Sequence, residues 1–175
     1  AHDNAAMMLD AQGHLWVFSG AHGTARPAYI FRSRRPYDID SFELIRKTNF
    51  SYPQPWFVEG RGFLFLHTRY TAAGRFLHWM TSPDGSRWNE PRPLATVARG
   101  HYQISWRAGN KVGTAFNYHP QRPRPDNDVG RTNLYYLETD DLGATWKTAG
   151  GDGVPPPIVT PESEALVHDY ERDRL

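Results

Sequence analysis

The sequence predicts an all-β chain, a β-propeller of four-stranded antiparallel blades, with about three blades and the start of a fourth present. Three observations predict it. A hairpin pattern recurs with a period of roughly fifty residues, about the span of one propeller blade. A turn motif carrying Asp, Gly and Trp returns within the repeat. The composition, 15 Gly and 14 Pro among 175 residues, disfavours long helices, while six Trp, nine Tyr and nine Phe supply bulk for a core.

Residues 4–23, 52–71 and 102–120 lie over one another as an apolar segment, a short turn and a second apolar segment ending in His or Tyr. The turns, Asp10–Gly13, Glu59–Gly62 and Ala108–Asn110, carry the Gly and Asn that tight hairpins require. The second strands Leu15–Phe18 and Phe63–Leu66 are continuously apolar, as a strand covered on both faces would be. An arginine then recurs (Arg26, Arg75, Arg131) before a third strand: Tyr29–Arg32, Phe76–Met80 and Leu134–Leu137.

The turn after the third strand matches the Asp-box pattern at every defined position in the last repeat: Thr139, Asp141, Gly143, Thr145 and Trp146. The middle repeat keeps Gly85 and Trp88 and moves the acid to Asp84, and the first, residues 33–42, is degenerate. An Asp that accepts from turn amides, a Gly with φ above zero and a Trp that closes the turn make this a structural device. The resulting blades are residues 2–50, 51–99 and 100–161, with a further blade starting at 162–175. Propellers typically close with four to eight blades, so the reading is a partial chain of a larger ring, marginal alone and monomeric when complete.

A formal net charge of +1 gives no signal for nucleic acid, and no apolar run approaches the roughly 18 residues of a membrane span. Absence of Cys removes disulfides, thiolate metal sites and Cys nucleophiles. The chain starts at Ala1, so an export signal was removed or not included, and the compartment stays open at this point.

In a propeller, residues leading into the innermost strand and those leaving the next strand share one face. That collects His2, Asp3, Asn4 and His22; then Tyr52, Gln54, Arg69 and Tyr70; then His101, Tyr102, Gln103, Asn117, Tyr118 and His119. Such a face is rich in His, Tyr, Arg and amides and nearly devoid of carboxylates, with Asp3 its one acid and Asp126 and Asp128 in a nearby loop. Glycoside hydrolysis asks for two carboxylates. β-Elimination from a uronic acid instead asks for a base, an acid and a group facing the sugar carboxylate, which His, Tyr and Arg supply. No cofactor or metal is required. A structural divalent cation on His2 and His22 with His119 or Asp128 is the competing use of the histidines, without any short-spaced His pair to support it.

The run His2–Asn4 with Ser19–Gly23, Tyr52–Trp56, Thr68–Tyr70, Gly100–Gln103, Asn117–His119 and the Thr139–Trp146 box resembles the BNR repeat-containing family, and is similar to the seven-bladed lyases that cleave ulvan, a sulfated uronic-acid polysaccharide. The resemblance spans nearly the whole chain. It implies a secreted or periplasmic bacterial carbohydrate-active protein with His2 or His22 as base, Tyr70 as acid, and Arg69 or Arg75 facing the carboxylate. Asn4, Tyr52, Gln54, His101, Tyr102, Gln103, Asn117, Tyr118 and His119 would hold an uronic-acid glycan, sulfated or not. The alternatives are a non-catalytic carbohydrate-binding propeller and a sialidase-like hydrolase.

Overall fold

The computed structural model describes residues 4–120 and 130–173 and is built almost wholly of strands. The first sheet has the order β1 (Ala6–Leu9), β2 (Leu15–Ser19), β3 (Ala28–Ser33) and β4 (Phe42–Thr48). The second is β5 (Ser51–Val58), β6 (Gly62–Thr71), β7 (Gly74–Ser82) and β8 (Arg92–Ala95). The third is β9 (Gln103–Ala108), β10 (Lys111–Tyr118), β11 (Thr132–Thr139) and β12 (Leu166–His168), followed by the short α1 (Tyr170–Asp173). The three expected hairpins close where the Gly and Asn punctuate the sequence, with Leu9 opposite Leu15, Val58 opposite Gly62 and Ala108 opposite Lys111. Among the described residues no helix is long and apolar enough to cross a membrane.

The chain divides into two compact units, residues 1–70 with 79–92, and residues 71–78 with 93–175. In the first, Trp16, Phe18, Phe50, Phe63, Phe65, Met80 and Trp88 form the core. Phe18 meets Phe65 at 4.7 Å between ring centroids, and Trp16 meets Phe63 at 5.1 Å, edge to face. Phe63 to Thr68 are buried without a break, as expected of a strand covered on both faces. β2 departs from that expectation: Trp16 and Phe18 are buried while Leu15 and Val17 are only half-buried, because one face of the first sheet is less covered. Gly85, at φ +77°, lies against the Trp16 ring so closely that a Cβ would collide with it. The turn chemistry holds this approach: Ser82 Oγ accepts from Gly85 N at 2.7 Å, Asp84 accepts from the amides of Ser86 and Arg87, and Trp88 Nε1 donates to Gly85 O.

In the second unit Phe116 stacks on Tyr135 at 5.2 Å, and Trp146 is buried. Its turn repeats the same wiring: Thr139 Oγ1 accepts from Gly143 N at 2.8 Å, and Asp141 accepts from the amide and hydroxyl of Thr145. One expectation is corrected. The segment around 165–169 does not start a further blade; Leu134 pairs with His168 and Tyr135 with Leu166, so β12 completes the third sheet. The physical cause lies after Trp146, where only Lys147 pairs with β11, at Glu138, before a run of three prolines that lacks amide donors. The chain therefore returns to β11 later, at its other end.

Candidate functional site

Two clusters of the predicted residues form, one in each unit. In the first unit the loop after β2 is pinned to the start of β5. Ala21 N donates to Phe50 O at 2.9 Å, and Ser51 Oγ donates to Ala21 O. This holds His22, exposed to solvent, beside two tyrosines of the second sheet. The Tyr70 hydroxyl lies 3.0 Å from His22 Nε2, and the rings meet edge to face at 5.4 Å. Tyr52 approaches the same imidazole at 6.1 Å, nearly perpendicular. Tyr52 occupies φ +51°, within the register shift between Ser51 and Gln54 that bends the start of β5 toward His22. An imidazole hydrogen-bonded to a phenol, open to solvent, is a ready acid and base pair.

The second cluster centres on Tyr102 and His119. Arg75, at the start of β7, donates from Nη1 to the Tyr102 hydroxyl at 3.0 Å and from Nη2 to His119 Nε2 at 2.8 Å. Its guanidinium carbon lies 4.3 Å from the Tyr102 ring centroid. The backbone of Arg75 is set by Gly100, which pairs with it and sits at φ +127°; a Cβ there would collide with the Arg75 carbonyl. His119 is fixed in turn by His119 N donating to Gly100 O at 2.9 Å and Arg99 N donating to His119 O at 3.2 Å.

The other predicted residues divide sharply. His101 is wholly buried, and both ring nitrogens are used: Nε2 accepts from Val97 N at 3.1 Å, and Nδ1 donates to Asn117 O at 2.7 Å. Burial, reinforced by nearby His119 and Arg75 and opposed by the Asn117 carbonyl, pushes it down to about 4, so it is a neutral structural histidine. The expectation that His101 meets ligand is thereby corrected: the ring is buried and its two nitrogens are taken by Val97 and Asn117. Tyr118 is likewise buried, its hydroxyl donating to Glu171 Oε2 at 2.5 Å. Asn117 accepts from Tyr102 N through Oδ1 at 3.1 Å and so shapes the turn beneath Tyr102. Gln103 accepts from Thr114 Oγ1, Gln54 is half-buried opposite Leu66, Asn4 is exposed, and Arg69 is half-buried beside Tyr70. His2, Asp3, Asp126 and Asp128 lie outside the described residues. Among the described residues no group of three His, Asp or Glu side chains converges to hold a metal ion.

Arg131 is the residue that sequence reasoning undervalued. Named there only as one of three recurring arginines before a third strand, it donates from Nε to His119 Nε2 at 3.1 Å and lies 4.0 Å from the Tyr102 ring. The available signal was its repeat position, which it shares with Arg75.

Several solved structures share this fold. A PL25 ulvan lyase matches with a TM-score of 0.81 at 16% identity over 96% of this chain, and its form bound to a -[GlcA(1-4)Rha3S]- oligosaccharide with 0.80 at 15% over 96%. The polysaccharide lyase Uly1 matches with 0.69 at 10% identity over 99% of this chain. The chain spans less than half the length of these proteins, 46%, 46% and 47% respectively. At these identities the likeness shows the fold, an all-β, propeller-like arrangement of four-stranded sheets. A comparison with curated protein sequences gives no match. The repeat that first suggested the fold is matched by a known family along residues 1–174, and the chain belongs to the BNR repeat-containing family.

Proposed function

We propose that the protein is a carbohydrate-active enzyme, a polysaccharide lyase that cleaves uronic-acid-containing glycan by β-elimination. The observation that carries this reading is the 3.0 Å approach of the Tyr70 hydroxyl to His22 Nε2. His22, or His2, takes the proton α to the sugar carboxylate. The electrons of that C–H bond form the new C=C bond, the glycosidic C–O bond breaks, and Tyr70 gives its proton to the departing oxygen. The carboxylate needs a cation as charge builds on it. Of Arg69 and Arg75, Arg75 is the better prepared, because Tyr102 and His119 already hold its guanidinium. The oligosaccharide seen in the neighbouring lyase, a uronic acid joined to a sulfated rhamnose, supports a polyanionic glycan as substrate.

The test is incubation of the protein with a panel of uronic-acid polysaccharides, followed by ultraviolet absorbance of an unsaturated sugar end. A rise with one polymer supports elimination. New reducing ends without the absorbance would mean hydrolysis, and binding without either would mean a non-catalytic carbohydrate-binding propeller.

A further inference from the structure

His119 Nε2 receives two guanidinium donors, Arg75 Nη2 at 2.8 Å and Arg131 Nε at 3.1 Å. A guanidinium has no acceptor, so Nε2 presents its lone pair and the ring proton sits on Nδ1. Protonation of that imidazole would set a third positive charge against two and replace both hydrogen bonds with donor–donor contacts. The same two guanidiniums lie 4.3 and 4.0 Å from the centroid of Tyr102, whose ring is 5.8 Å from that of His119. Among the described residues Arg75, Arg131 and Tyr102 face His119, and buried His101 is close enough to feel its charge.

We propose that Arg131 is a positioning residue: it fixes His119 as a neutral acceptor, and His119 with Tyr102 then holds the Arg75 guanidinium ready for an anionic group of the glycan. The identity of that anion, a uronic carboxylate, rests on the function proposed above; the coupling of Arg131 to His119 does not. A guanidinium that is already oriented loses less freedom when it binds an anion, so the effect falls on substrate affinity.

The test is ¹⁵N NMR of the His119 ring across pH in the protein and in its Arg131→Gln and Arg131→Lys variants, with kcat and KM on a uronic-acid polymer over the same range. In the unaltered protein the proton is expected on Nδ1, with no titration through the neutral range. In Arg131→Gln the His119 midpoint rises by about one pH unit. KM grows as pH falls through that midpoint while kcat holds, and Arg131→Lys restores part of the loss. A purely structural role would lower activity equally at every pH. An unaltered protein with the proton on Nε2 overturns the proposal, even where Arg131→Gln does not fold, and so does an Arg131→Gln protein whose His119 titrates unchanged. If His119 responds as expected but Arg75→Gln leaves KM for the polymer unchanged, the positioning role stands and the carboxylate reading of Arg75 fails.

Discussion

Tyr70 and His22, separated by 48 residues in sequence, are joined by a 3.0 Å contact between phenol oxygen and imidazole Nε2, and neither side chain supports the core. Substitutions there separate chemistry from stability. Tyr70→Phe keeps the ring against His22 and removes only the hydroxyl. Turnover is expected to fall roughly 10²- to 10⁴-fold, with polysaccharide affinity and melting temperature retained. His22→Ala should do the same in steady-state assays of the unsaturated product. Loss of binding with no loss of turnover per bound chain would remove both from the chemistry.

The two candidate arginines differ in preparation. Arg75 makes two hydrogen bonds within its cluster, whereas Arg69 stands half-buried next to Tyr70. Arg75→Gln is expected to raise KM for a uronic-acid polymer roughly 10- to 100-fold, the worth of one charge-assisted hydrogen bond to a carboxylate. Measured beside Arg69→Gln, the variant with the larger loss identifies the carboxylate's partner.

Gly85 is a stability position. Gly85→Ala places a methyl group into the Trp16 ring at a φ of +77°, so overpacking and backbone strain add. The expected loss is roughly 2–4 kcal/mol in denaturant titration, with turnover per folded molecule unchanged. Trp146→Ala should cost roughly 3–5 kcal/mol for the same kind of reason, an emptied core position at the corresponding turn of the other unit.

Acid should weaken the fold in two steps. His101 is held down at about 4 when folded but has its ordinary value of 6.5 when unfolded, so the unfolded chain gains the proton first. Its contribution, about 3 kcal/mol, is present above pH 6.5 and lost as pH falls toward 4. Asp84, lowered to about 2 chiefly by the Arg87 amide, and Asp38, lowered to about 2 chiefly by the Ser41 hydroxyl, lose their contributions between 3.8 and 2. Denaturant midpoints across pH check this: His101→Gln should flatten the upper step only, and Asp84→Asn part of the lower one.

The sequence alone determined the repeat, the hairpin turns, the third strands and the wiring of the Asp, Gly and Trp turns. All of these depend on neighbours a few residues apart, through φ preference, amide capping and alternation. It also placed His22 with Tyr70 in one unit, and Tyr102 with His119 in the other, at strand ends that come together within that unit. Only the tertiary structure decided which of the face residues remain available, because burial and hydrogen-bond partners come from distant segments. His101 and Tyr118 occupy strand-end positions like those of Tyr52 and His22, yet Val97 and Asn117 consume the one and Glu171 the other. Arg131 entered the cluster, and residues 166–168 joined β11, for the same reason: long-range packing assigns each donor, acceptor and strand edge a partner that local spacing does not encode.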